Sequence, residues 1–212
     1  MAQEAAALDR NRWLALWSRL GAEQNGLEAF HRLAAAYAEP TRFYHTAAHI
    51  ADCLVQFDWS RDLASRPDEV EAALWYHDAV YVPGAADNED RSARMALSAL
   101  TAGAASPGVP ERIAAMVVAT KHLDLPSDAD TQLLCDIDLS ILGREVAEFD
   151  QFEWRIRQEY AWVPEPMYRS ARSGVLNGFL RRRSIYHTDR FAQRYERKAR
   201  HNLERVLAAL SG

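Results

Sequence analysis

The sequence predicts an all-α protein, folded as a single-domain helical bundle. Nine glycines and eight prolines among 212 residues are about 8% of the chain, below the roughly 12% of an average protein. About one residue in six is alanine, the strongest helix former. Apolar residues recur three or four positions apart, as on one face of a helix, and the alternating pattern of a half-buried strand is absent.

Helical spacing and helix-start signals predict six helices in the first part of the chain. Large apolar residues recur from Trp13 to Leu20 and from Leu27 to Tyr37. Pro67-Asp68-Glu69 places proline and two acids in a first turn, where both are favoured. Turn-rich stretches at 82–87 and 103–110 separate the later segments. The expected helices lie at about 13–20, 27–37, 46–57, 67–77, 88–100 and 110–121.

Four further helices are expected in the rest of the chain, at about 130–142, 146–160, 166–182 and 189–210. No internal repeat, low-complexity tract or long linker divides the ten segments. We therefore expect residues 1–212 to form one domain.

Composition and charge exclude several classes of protein. A net charge of −5 and an isoelectric point near 5.8 argue against a nucleic-acid binder, although residues 181–200 carry a net charge of +6 and could face an anionic ligand or solvent. No run approaches the roughly 18 apolar residues of a membrane span. Residues 1–4 do not resemble the start of a secretion signal, so we expect a cytoplasmic protein. Cys53 and Cys135 are expected to be small buried hydrophobes.

Histidines and aspartates in three clusters are the most informative feature. His45 and His49 are four residues apart, so one helix face would carry both, and one could bind a metal while the other handles a proton. His77-Asp78 follows an apolar run, where a buried carboxylate is costly unless a cation accompanies it.

The third cluster, Asp136 and Asp138, lies among apolar neighbours. The two residues point about 200° apart on a helix, so only one is expected to face a shared site. Imidazole and carboxylate ligands suit Mn, Fe, Zn, Co, Ni or Mg, and the sequence does not choose among them or between one ion and two.

A histidine, a His-Asp doublet and a distant aspartate on helices resemble the HD superfamily of metal-dependent phosphohydrolases. Residues 44–52 (YHTAAHIAD) and Asp138-Leu139-Ser140 also resemble two motifs of cyclic nucleotide phosphodiesterases. Thr46 stands where those enzymes have asparagine, and no proline follows Asp138-Leu139-Ser140, so cyclic nucleotides are not the expected substrate.

Over nearly its full length the chain is most similar to a bacterial group of predicted HD phosphohydrolases. The similarity rests on five segments: Arg42-x-Tyr44-His45, residues 75–81 (WYHDAVY), Asn88-Glu89-x-x-Ser92-Ala93, Thr120-Lys121-His122 and residues 136–139 (DIDL).

The resemblance implies an HD-type helical bundle, roles for five residues and a metal-binding core at about 42–143, with the helices of 146–210 packing on it. His49, His77, Asp78 and Asp138 would bind the metal, Asp138 being preferred over Asp136 because of the Asp-Leu-Ser likeness. It also implies His45 as proton donor to the leaving group. Four further roles come from the chemistry of phosphate cleavage: Arg42 and Lys121 could neutralise phosphate oxygens, and the catalytic candidates Glu89 and His122 could orient water or complete a second metal site.

Each of the weaker assignments has a structural alternative. His45 could cap a helix, Glu89 could interact favourably with the helix dipole, and Lys121 and His122 could stabilise the carboxyl end of their helix.

The expected substrate is a small phosphorylated molecule, such as a nucleotide, cleaved at a phosphoester or phosphoanhydride by metal-activated water. The other hypotheses are an HD-type di-iron oxygenase and a non-catalytic, metal-stapled module that senses a nucleotide. The sequence leaves the oligomeric state open.

Overall fold

The protein, represented by a computed structural model, is described for residues 8–211. Ten α-helices follow one another in this range, with no β-strand between them. The predicted all-α fold is therefore confirmed. None of the helices among residues 8–211 combines the length and the apolar composition needed to cross a membrane. The residues used to argue against a secretion signal lie outside the described range.

The helices begin and end close to the positions that the sequence predicts. They are α1 (Arg10–Arg19), α2 (Gly26–Tyr37), α3 (Ala47–Ser60), α4 (Pro67–Tyr76), α5 (Asn88–Ala102), α6 (Val109–Ala119), α7 (Ala129–Asp138), α8 (Val146–Glu159), α9 (Glu165–Leu180) and α10 (Asp189–Ser211). Short 3-10 helices cover Arg61–Leu63 and Leu139–Gly143.

The described residues form two compact units, the first ending at Cys135 and the second beginning at Asp136. The expectation of one domain, with a core at 42–143 and packing helices at 146–210, stays a prediction.

The first unit is organised around α4, which contacts α1, α3, α5 and α6. Every residue from Glu69 to Tyr76 is buried, so the helix is enclosed after its first two residues. This burial explains why residues 72–76 (AALWY) are all apolar, and the buried acids Glu69 and Glu71 have arginine partners. The His-Asp doublet that follows α4 consequently begins in the interior of the unit.

The second unit is assembled on α10, which packs on α9 and on the 3-10 helix Leu139–Gly143. The sequence predicts one helix over 130–142, but the α-helix ends at Asp138 and the chain tightens into the 3-10 turn. Asn202 holds this turn, since its Nδ2 donates to the carbonyl oxygens of Leu142 and Arg144, at 2.9 Å each. A Cβ at Gly143 would lie 2.5 Å from Cβ of Tyr195, so only glycine fits where α10 passes.

Candidate metal centre

Two helices of the first unit bring histidines together. His49 lies in the first turn of α3, and His77 is the C-cap residue of α4. The exposed fraction is 6% for His49 and 1% for His77. Since α3 packs on α4, the start of one helix meets the end of the other.

One hydrogen bond fixes the tautomer of neutral His77. Its Nδ1 lies 2.9 Å from the carbonyl oxygen of Leu74, which can only accept, so Nδ1 carries the hydrogen. The Nε2 of the neutral ring therefore presents a lone pair. Metal-binding histidines are commonly oriented by a bond of this kind.

Three ligand atoms converge at the end of α4. His49 Nε2 lies 3.1 Å from His77 Nε2, and Asp78 Oδ2 lies 3.1 Å from His77 Nε2 and 3.4 Å from His49 Nε2. Two ligands on one ion, with bonds of about 2.0–2.1 Å at roughly 90–110°, lie about 2.9–3.4 Å apart. The three observed separations match that geometry, so the group fits a divalent cation.

The charge of Asp78 also suits a cation. Burial by itself raises the pKa of this carboxyl group, but the nearby imidazoles of His77, His45 and His49 outweigh burial and hold the pKa well below its ordinary value. Asp78 is therefore ionised at neutral pH, and its oxygen faces the lone pair of neutral His77. Either a proton on the buried imidazole or a metal ion must separate these two groups.

Cys53 is a neighbour of this group that the sequence did not predict. The thiol follows His49 by one helical turn, and the ligand atoms of His49, Cys53 and His77 lie within 4.8 Å of one another, so they could hold a metal ion. The i, i+4 spacing was the available signal, but a lone apolar-flanked cysteine is ordinarily a core residue.

The position of the sulfur limits the part that Cys53 can play. Its Sγ lies 3.7 Å from both ring nitrogens of His49, to the side of the Nε2 lone pair. Equal distances to the two nitrogens place the sulfur away from the direction in which the Nε2 lone pair points. Cys53 can therefore join the ligands only if its side chain rotates.

His45 lies beside the three ligand residues and is half-buried. Its ring stacks on Tyr81 with centroids 3.9 Å apart and an interplanar angle of 24°, and Tyr44 meets it edge-on at 5.0 Å. The His45 and His49 centroids are 6.2 Å apart. The predicted role as proton donor stays a prediction, with an imidazole held near the ligands by two aromatic rings.

Arg42 is buried among protein acceptors. Its side chain is 1% exposed, and the guanidinium donates to Glu39 Oε2 and to the carbonyl oxygens of His45, Asp78 and Ala79. The predicted contact of Arg42 with phosphate stays a prediction.

The loop after the His-Asp doublet is held by two residues of the resemblance motif at 88–93. Asn88 accepts from the backbone N–H of Val82 and donates to its carbonyl oxygen, each at 3.0 Å. The Ser92 hydroxyl bonds both the N–H and the carbonyl oxygen of Val80. These bonds give Asn88 and Ser92 structural roles in the loop beside the centre.

The other predicted residues of the first unit lie on α5 and just after α6. Glu89 is in the first turn of α5, and Lys121 Nζ lies 2.7 Å from Asp90 Oδ2 in the same turn. His122 has a left-handed backbone with φ of 54°, which is uncommon for a residue with a side chain. The predicted roles of Glu89, Lys121 and His122 stay predictions.

Asp136 and Asp138 belong to the second unit and are described within it. Asp136 is fully buried, and its carboxylate accepts from the backbone N–H groups of His187 and Thr188 and from the Thr188 hydroxyl, each at 2.7 Å. Asp136 thus holds the start of α10. Asp138, the last residue of α7, stays a prediction as a metal ligand.

Comparisons with protein-family models, with curated proteins and with solved structures find no match to this chain.

Proposed function

We propose that the protein is a metal-dependent phosphohydrolase acting on a small phosphorylated molecule. The observation that carries this proposal is the convergence of His49 Nε2, His77 Nε2 and Asp78 Oδ2 at 3.1–3.4 Å. The reaction class is supported by the resemblance of the His, His-Asp and Asp pattern to HD phosphohydrolases.

The residues that would hold the metal are His49, His77 and Asp78, with Asp138 added from the sequence resemblance. A bound divalent ion supplies Lewis-acid chemistry, lowering the pKa of water and offsetting negative charge on phosphate. With two neutral imidazoles and one or two carboxylates, the site would leave a dipositive ion with little or no net charge. This balance allows an anionic phosphate to approach.

His45 would transfer a proton to the oxygen that leaves phosphorus. Its ring is half-buried rather than enclosed, which leaves a route to a substrate, and the stack on Tyr81 limits ring rotation. A positioned imidazole of this kind contributes about 10²–10⁴-fold to a rate. Lys121 would neutralise phosphate oxygens, and Glu89 or His122 would orient water.

The test is product release from a mixed pool of nucleotides and phosphoesters, followed by mass spectrometry. Metal-stripped protein is refed separately with Mn, Mg, Fe, Co, Ni or Zn. We expect one or a few pool members to disappear in a metal-dependent manner, with His77→Ala inactive and His45→Ala keeping its metal but losing most of its rate. His31→Ala, which changes an exposed histidine of α2, is the matched control and should keep full activity.

Absence of turnover with every metal, while the ion stays bound, would contradict the hydrolase proposal and favour the metal-stapled sensing module. Oxygen consumption with two irons per chain would favour the di-iron oxygenase. Full hydrolysis by His45→Ala would remove the proton-donor role alone.

A further inference from the structure

Arg42 connects two segments that carry the proposed catalytic and metal-binding groups. Its Nη1 lies 2.6 Å from the carbonyl oxygen of Asp78 and 3.3 Å from that of His45, and its Nη2 lies 3.1 Å from the carbonyl oxygen of Ala79. One guanidinium therefore bonds the backbone of the His45 segment and the backbone of the turn after α4.

The position of the charge makes this connection stable. Buried carbonyl groups of a turn need hydrogen-bond donors, and a cation near the carboxyl end of a helix interacts favourably with the helix dipole. Arg42 donates to the two carbonyl oxygens that follow the C-cap residue His77, so its charge lies near the carboxyl end of α4. Glu39 Oε2 accepts from Nε at 2.9 Å, so the buried cation also has a counter-charge.

The burial of Arg42 argues against direct contact with a substrate. Four N–H donors of the guanidinium are directed at protein acceptors, and the side chain is 1% exposed. A phosphate could reach Arg42 only if several of these bonds broke. The rings of Tyr37 and Tyr81 lie 5.4 and 5.9 Å from the guanidinium carbon and further confine the group.

We propose that Arg42 is a positioning residue of the metal centre, which fixes the His77–Asp78 turn against the His45 segment and so sets the affinity for the metal. This inference rests on the proposed function for its metal, but the connection between the two segments can be tested without one. The planar fork of arginine reaches several acceptors at once, whereas a lysine ammonium is a single point of charge.

Arg42→Lys is the informative variant because it keeps the charge and loses the fork. Amide hydrogen exchange of the metal-free protein should accelerate both at residues 43–46 and at residues 78–80. Titration with Zn²⁺ against a chromophoric chelator should show about 10–100-fold weaker binding, the usual effect of changing a residue that orients metal ligands. Arg32→Lys is the matched control, since Arg32 pairs with Glu28 on the exposed surface of α2 in the same unit, and both readouts should stay as in the wild type.

Unchanged exchange at both segments would overturn the proposal, as would acceleration in Arg32→Lys equal to that in Arg42→Lys. Wild-type zinc affinity in Arg42→Lys, combined with a raised KM for phosphate substrate, would show that Arg42 contacts substrate instead. If the wild type binds none of the metals, the proposed function fails, and the exchange measurement still decides whether Arg42 holds the two segments.

Discussion

The Nδ1–H of His77 is committed to the carbonyl oxygen of Leu74, and this bond determines which nitrogen faces His49 and Asp78. His77 is 1% exposed, and its Nε2 lies 3.1 Å from both His49 Nε2 and Asp78 Oδ2. A divalent ion would satisfy two imidazole lone pairs and a carboxylate together. The backbone of α4 therefore prepares this residue to be a ligand.

The position of Cys53 leads to a second prediction about a single residue. Its sulfur lies to the side of the lone pair on His49 Nε2. We expect Cys53→Ala to bind Co²⁺ within about threefold of the wild-type affinity, since the thiol does not point at the ligand direction in its present rotamer. The wild-type cobalt protein should lack a thiolate-to-cobalt charge-transfer band in its absorption spectrum. Titration by absorbance gives both results.

Cys135→Ala is the matched control, because Cys135 is also buried and its thiol contacts the carbonyl oxygen of Ala119. A charge-transfer band that disappears in Cys53→Ala and persists in Cys135→Ala would mean that the side chain rotates and Cys53 is a ligand.

At the scale of elements, a buried acid joins α4 to its neighbours. Glu71 is 1% exposed and accepts from Arg12 and Arg19 of α1 and from Arg61 of the 3-10 helix that precedes α4. Asp68, one turn earlier on α4, also accepts from Arg19 and Arg61. The network fixes the helix that carries His77.

Asp68 makes part of the stability that this network gives the protein dependent on pH. Partial burial raises the pKa of its carboxyl group, but hydrogen bonds and attraction from Arg19 and Arg61 outweigh burial and lower the pKa from its ordinary value. The folded state therefore binds the Asp68 proton more weakly than the unfolded state. This contribution to stability is complete above the unfolded pKa of about 3.9 and is lost as pH falls through the folded pKa.

We expect Asp68→Asn to lower the free energy of unfolding by about 0.5–1 kcal/mol at pH 7, since the group is partly exposed and solvent screens it. The difference from the wild type should shrink as pH falls below about 4. Urea unfolding at several pH values measures it. Asp124→Asn, at an exposed aspartate of the same unit, should show little difference at any pH, and a constant deficit in Asp68→Asn would refute the argument.

Helix positions could be predicted from the sequence where nearby residues determine them. Contacts between residues far apart in the sequence were harder to predict. Proline and acids at 67–69 place the start of α4 correctly. The i, i+4 pair and the His-Asp doublet indicate His49, His77 and Asp78. The bonds from Arg42 to the carbonyl oxygens of Asp78 and Ala79 could not be predicted, because these acceptors lie 36 and 37 residues away and depend on how helices pack.

At the scale of the whole molecule, some of the basic residues in 181–200 form ion pairs and hydrogen bonds within the second unit. Arg200 pairs with Glu196 and donates to the carbonyl oxygens of Leu180, Arg182 and Arg183 at the end of α9. Lys198 pairs with Glu145. Some of the net positive charge therefore caps a helix and joins elements of the second unit, which explains part of the asymmetry without an anionic ligand.

Substitutions at the two aspartates of the second unit can distinguish a structural role from a metal-binding role. Asp136→Asn should destabilise the second unit by about 2–3 kcal/mol, because an amide nitrogen would face one of the N–H or O–H donors at the start of α10. It should leave the metal affinity unchanged. Asp138→Asn should do the reverse, weakening metal binding while leaving the metal-free protein nearly as stable, if Asp138 is the ligand that the resemblance implies.

Each aspartate is the matched control for the other, since the substitution is identical and the positions are two residues apart. Urea unfolding of metal-free protein measures the first effect, and Zn²⁺ titration measures the second. Retention of metal by Asp138→Asn with loss in Asp136→Asn would reverse the assignment. Full affinity in both variants would mean that the second unit supplies neither carboxylate and that His49, His77 and Asp78 hold the ion with water or substrate.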